Sequence, residues 1–182
     1  LQTQIREVNG LLEQGQTAFH REQSRLESLK NLTERYDGYG NSIRRAMDQK
    51  SREPGIIGVV ADLIKVEKKY EIAVETALGG SIQNIVTDNE QTAKRMIEFL
   101  KRNKAGRATF LPLTSVKNRS EFKQEQVLKE PGVIGLANRL VHTDVRYEDL
   151  IGYLLGRVVV AESMDAAIPL ARKYHYSLRI VT

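Results

Sequence analysis

The chain has 182 residues, a formal net charge of +5 and no cysteine. That length supports one domain, or two small ones, with a core large enough to fold without cross-links. The missing thiols exclude disulfides, thiolate metal sites and a cysteine nucleophile, and fit a reducing cytosol. No apolar run approaches the ~20 residues that span a bilayer, and the opening LQTQIREVNGLLEQ is too polar for a secretory signal. A chain that starts at Leu1 and stops at RIVT reads as a segment of something longer.

Over residues 1–36 apolar positions recur at spacings of four and three. One register puts Leu1, Val8, Gly15, Glu22, Leu29 and Tyr36 in one column of a seam, and Ile5, Leu12, Phe19, Leu26 and Thr33 in the other. Eight of these eleven positions are apolar, and their neighbours are mostly Gln, Glu, Arg, Lys, Ser and Asn. So narrow a seam predicts a coiled-coil arm rather than a helix with a broad core-facing stripe. At ~1.5 Å per residue the arm runs about 54 Å, longer than a small domain is wide. It needs a partner strand, and no second seam follows downstream. The pattern ends at Tyr36, where Asp37, Gly38 and Gly40 interrupt it, and a short helix over 41–49 is expected next.

The rest is organised by an internal repeat. EPGIIGVVADLIKVEKKYEIAVETALG and EPGVIGLANRLVHTDVRYEDLIGYLLG lie 77 residues apart and share ten identities in 27 ungapped positions. These are Glu53/Glu130, Pro54/Pro131, Gly55/Gly132, Ile57/Ile134, Gly58/Gly135, Leu63/Leu140, Tyr70/Tyr147, Glu71/Glu148, Leu78/Leu155 and Gly79/Gly156. After a three-residue deletion, NIVTDNEQTA matches VVVAESMDAA more weakly. Each half reads as a Pro-Gly turn, an apolar segment (56–64, 133–141) and a helix (68–78, 147–155) stopped by Gly79 or Gly156 as C-cap. A buried strand (82–86, 158–161), a second helix (89–102, 164–173) and a last strand (108–113, 178–181) follow. Thr87 and Glu90 fit a capping box for the helix at 89. The fold class is therefore α/β (α+β): two pseudo-repeated small mixed-sheet subdomains with packed helices, preceded by a long coiled-coil helix. The expected divisions are an arm at 1–36, a first subdomain at 37–113, a polar linker with some helix at 114–130 and a second subdomain at 131–182.

Catalytic and metal chemistry find little support in these residues. There is no G-x-x-x-x-G-K-[ST] loop, and Gly79-Gly80 follows a helix and precedes a strand, the reverse of a dinucleotide-binding turn. His20, His142 and His175 have no second ligand at helical spacing. Asp62, Glu67 and Glu71 read as solvated charges. The functional signal is basic. Lys94, Arg95, Lys101, Arg102, Lys104, Arg107, Lys117, Arg119 and Lys123 face only Glu98 and Glu121, so residues 94–123 carry +7 and the rest of the chain −2. Such a stretch suits phosphate contact without sequence reading, with Lys101, Arg102, Lys104, Arg107, Lys117, Arg119 and Lys123 as the candidate DNA-binding residues. Phe99, Phe110 and Phe122 are too few for a base-stacking platform. The competing reading is an ordinary solvated basic face on a purely structural module. A third is a small-molecule-binding α/β domain with its cleft between the two repeats.

The run GIIGVVADLIKVEKKYEIAVETALGGSIQNIVTDNEQTAKRMIEFLKRNKAGRATFLPL resembles the hinge of structural-maintenance-of-chromosomes (SMC) proteins of the bacterial homodimeric kind. GVIGLANRLVHTDVRYEDLIGYLLG…RIVT resembles its second half. TALGG…NIVTD and GRATFLPL are the most diagnostic pieces, and the likeness covers about residues 36–182. It implies a non-enzymatic hinge that pairs with a second copy of itself, within a cytoplasmic, nucleoid-associated chromosome-partition protein. It further implies ABC-type ATPase heads that bind ATP and Mg, a kleisin subunit at those heads, non-specific contact with DNA, and no membrane or hinge cofactor. The family continues past the IVT strand with a glycine-rich segment and the returning coiled-coil strand, neither of which is in these 182 residues.

Overall fold

The structure, a computed structural model, describes residues 2–35, 39–117 and 122–182. The expected end of the seam at Tyr36, with Asp37 and Gly38, lies outside the described residues. Helix α1 (Gln2–Arg35) is continuous over 34 residues. Its seam residues Ile5, Val8, Leu12, Phe19 and Leu26 are 54–65% exposed, and Leu11 beside them is equally open. The arm therefore carries an uncovered apolar ridge.

The first half runs α2 (Asn41–Met47), β1 (Ile56–Val59), β2 (Ile64–Val66), α3 (Glu71–Leu78), β3 (Ile85–Thr87), α4 (Glu90–Arg102) and β4 (Phe110–Pro112). The second runs β5 (Val133–Leu136), β6 (Val141–Thr143), α5 (Glu148–Leu155), β7 (Val158–Ala161), α6 (Met164–Lys173) and β8 (Arg179–Val181). Two three-stranded sheets result, ordered β1-β3-β4 and β5-β7-β8. In each, the first pair is antiparallel and the second parallel. Even the irregularity repeats: the register shifts between Ile56 and Gly58 in one sheet and between Val133 and Gly135 in the other. The repeat expected from ten identities is thus a repeat of topology and register.

Sequence periodicity does not show how the halves join. Strand β2 pairs antiparallel with β6 as Ile64↔Thr143, Lys65↔His142 and Val66↔Val141. With the 77-residue offset, Lys65 meets its own counterpart and the flanking pairs exchange. The ladder maps onto itself when the halves are swapped, so a local two-fold axis passes between Lys65 and His142. Around it the largest core cluster draws Val60, Val74, Ala77, Leu78 and Val86 from the first half. Ala137, Leu150, Leu155, Val158 and Val160 come from the second. These side chains fill the space where a ligand cleft between the repeats was the third expectation. Arg179 adds a polar tie, its Nη2 donating to the Ala77 carbonyl at 2.5 Å.

Two local expectations are corrected. Thr87 and Glu90 form no capping box: the cap of α4 is Asn89, whose Oδ1 accepts from the Thr92 amide at 3.0 Å. Ser163 caps α6 at the equivalent position through the Ala166 amide at 3.2 Å, and each such cap contributes about 1 kcal/mol. Glu90 instead accepts hydrogen bonds from Thr114 and Ser115, which hold its carboxyl below its ordinary range. Gly79 ends α3 with φ +52° and ψ −132°, a positive-φ conformation, outside the αL region, that only glycine adopts readily. Gly156 is not at positive φ. A Cβ there would overlap the Gly152 carbonyl oxygen, so close backbone approach is what requires glycine.

The repeated glutamates keep one job with different partners. Glu53 is gripped by Arg95, with Nη2 to Oε2 at 2.9 Å, whereas Glu130 takes Lys173 Nζ at 2.7 Å and the Tyr174 hydroxyl at 2.9 Å. Lys173 and then Tyr174 hold the Glu130 carboxyl below its usual value. A carboxylate depressed on folding stabilises the fold above its unfolded value of about 4.3 and loses that contribution as pH falls through the lower folded value. Glu130→Gln is therefore expected to flatten the drop in urea midpoint between about pH 5 and 3. An unchanged pH profile would show that Glu130 does not report on folding.

Candidate nucleic-acid interface and self-association edges

Strand β3 leads into α4 at its C-terminal end, α4 runs back, and parallel β4 starts again at the N-terminal end of the sheet. Lys101 and Arg102 form the last turn of α4, and Lys104 and Arg107 lie in the loop that follows. All four are exposed, and none forms an ion pair with a described residue. The loop is fixed by packing rather than by charge. Ala105 and Leu100 are buried against Ile43, Ala46 and Met47 of α2, and the Ser42 hydroxyl donates to the Arg107 carbonyl at 2.7 Å. Lys104 adopts φ +48°, which turns the chain out of the helix. The structure thus gathers four of the seven expected residues at one end of the first sheet.

The other three part company. Thr114 and Ser115 dock on Glu90, the first residue of α4, so Lys117 belongs to the far end of that 13-residue helix, about 20 Å from Arg102 at helical rise. Arg119 lies outside the described residues. Lys123 is carried to the second half. There Phe122 packs with Leu178 and Val127 in a separate apolar cluster, and Lys123 lines a cleft with Arg157 and Arg179. Of the remaining cations in the basic stretch, Arg95 is paired with Glu53. The linear run of positive charge is therefore not one patch, because α4 and the chain crossing to the second half separate its parts.

Sequence reasoning missed Arg45, exposed in the last turn of the α2 helix that packs against the end of α4. It also missed Arg157 and Arg179. All three lie outside the window in which basic residues are dense, and only the tertiary arrangement associates them with it. Among the described residues no group of three or more His, Asp or Glu side chains is arranged to hold a metal ion. Among them, too, no helix is long and apolar enough to cross a membrane.

Strands β4 and β8 each end their sheet, paired on one side only among the described residues. Each is the strand parallel to the central one, and the local two-fold relates them. The sequence model for SMC proteins Flexible Hinge Domain matches residues 53–171, nearly the whole duplicated region. This chain belongs to the SMC hinge family. The hinge is 40% identical over 160 residues to the chromosome partition protein Smc of Halothermothrix orenii and 38% identical over 161 residues to that of Bacillus subtilis. Each match covers 87% of this chain but only 14% of the relative, so the hinge spans about a seventh of those proteins. Among solved structures it is similar to an asymmetric dimer of the Geobacillus stearothermophilus SMC hinge domain. That match has a TM-score of 0.76 and 37% identity, covering 94% of this chain and 71% of that one. The Pyrococcus furiosus SMC hinge domain matches with a TM-score of 0.64 and 32% identity, covering 84% and 77%.

Proposed function

We propose that this hinge joins two copies of a chromosome-partition protein and holds DNA through sequence-independent phosphate contacts at Lys101, Arg102, Lys104 and Arg107. One observation carries the DNA reading: four exposed cations, unpaired with any described acid, converge where α4 ends and β4 begins. Lys101 and Arg102 also lie favourably against the negative end of the α4 dipole. Lys104 and Arg107 lie beyond that turn, and a phosphate partner explains them better than the dipole does. Pairing is supported by the solved dimer of a hinge 37% identical to this one. The unpaired backbone groups of β4 and β8 offer two symmetry-related places for strand addition. A contact made twice about a two-fold axis closes on itself.

Within this reading the hinge is a connector rather than an enzyme, and the apolar ridge of α1 is covered by a returning helix. The whole protein would carry ABC-type heads with ATP and Mg, bind a kleisin subunit, and lie in the cytoplasm on the nucleoid. Reversing Lys101, Arg102, Lys104 and Arg107 to glutamate together is expected to lower affinity for a random duplex on the order of a hundredfold at low salt. It should also flatten the plot of log affinity against log salt by roughly 3. The same affinity and slope as the unaltered hinge would leave a mechanical module whose basic face is only solvated.

A further inference from the structure

The second sheet offers cations of its own. Arg157 immediately precedes central strand β7, and Arg179 opens β8 opposite Val158. Both lie at the N-terminal end of the parallel pair, the end equivalent to the one where Lys101, Arg102, Lys104 and Arg107 gather on the first sheet. Lys123 arrives from the other side, anchored through Phe122, which packs with Leu178 and Val159. With Gln124 and Ser177 these residues line one cleft of about 280 Å³, and among the described residues no carboxylate lines it. Lys123, Arg157 and Arg179 form no ion pair with a described residue. The Arg179 guanidinium is held in place by the Ala77 carbonyl, which uses one of its five donors. Ser177 already donates to the Tyr174 carbonyl, leaving its oxygen as an acceptor.

Three cations around one small hollow, with no described carboxylate between them, repel each other unless an anion or solvent separates them. Two guanidinium forks beside a lysine match the tetrahedral oxygens of a phosphate better than they match a carboxylate-bearing protein surface of unspecified shape. The repeat adds a reason to regard the arrangement as more than scatter. The positions equivalent to Arg157 and Arg179 in the first half are Gln83 and Thr109, so the two sheet ends become basic through unrelated residues. We propose that the cleft of Lys123, Arg157 and Arg179 is a second phosphodiester-binding site, which receives the backbone of the same nucleic acid that the α4 end contacts. The domain then grips DNA at two symmetry-related ends rather than along one patch. This inference rests on the DNA reading above but concerns different residues.

The test follows amide resonances of the 182-residue chain during titration with a random duplex and, separately, with inorganic phosphate. The double variant Lys123→Glu, Arg157→Glu is measured beside it, and Arg179 is left intact because it ties the halves together. The duplex is expected to shift the amides of 122–124, 157 and 177–179, and the double variant to lose about tenfold in duplex affinity with a salt slope shallower by roughly 1–2. Shifts at the cleft with phosphate but not with duplex would overturn the proposal in favour of a free-phosphate site. Silence at the cleft with both probes would overturn it outright. In either case shifts at 101–107 with duplex show whether the DNA reading survives on its own.

Discussion

Leu155→Ala is expected to cost about 2–5 kcal/mol and to loosen both halves of the molecule together. Leu155 is fully buried in the cluster that straddles the local two-fold axis, among Val74, Ala77 and Leu78 of the first half and Leu150 and Val158 of the second. Truncation removes the transfer free energy of its methyl groups and leaves a cavity at the junction, where neither half can collapse without pulling on the other. Leu170→Ala provides the contrast. Leu170 is nearly as buried, but its cluster of Val127, Leu136 and Val159 lies within the second half and the segment leading to it. Amide exchange should show protection lost across β1, β3 and β7 alike in Leu155→Ala. Protection lost from the second half alone would mean that the halves are separate folding units.

The glycines of the two Pro-Gly turns should respond unequally to alanine. Gly132 has φ +76°, and a Cβ there would overlap the Cβ of Ala166 on α6. Left-handed backbone costs a non-glycine residue about 1–2 kcal/mol, and overpacking against a neighbour that cannot rotate away adds about 1–3. Gly55 shows no left-handed φ, and a Cβ there would meet the side chains of Thr92 and Asp88. Those two share a hydrogen bond at 2.6 Å that can break or turn aside, at a cost of about 1 kcal/mol. Urea midpoints should therefore fall more for Gly132→Ala than for Gly55→Ala. Equal losses would mean that the turns are held by one common constraint, contrary to their geometry.

The duplication was legible because it is written in residues that local structure cannot do without. Pro54/Pro131 and Gly55/Gly132 set the turns, and Gly58/Gly135 mark the irregularity in the first strand of each sheet. The arm was equally legible, since the spacing of Ile5, Val8, Leu12, Phe19 and Leu26 leaves a helix with one apolar ridge. The join between the halves was not legible. Strands β2 and β6 are three residues each, and Ile64-Lys65-Val66 gives no local sign that its partner lies at Val141-His142-Thr143. The candidate site failed in a related way. Proximity in sequence placed Lys117 and Lys123 with Lys101, but α4 intervenes in the one case and the crossing to the second half in the other. Arg45, Arg157 and Arg179 enter only once the fold brings their strands and helices to the sheet ends.

Joining two copies of the chain requires that the hinge self-associate. Sedimentation equilibrium of the chain over a wide concentration range tests it most directly. A weight-average mass that climbs reversibly from the 20.6 kDa of one copy toward twice that value is expected. A mass of 20.6 kDa at every concentration would contradict it.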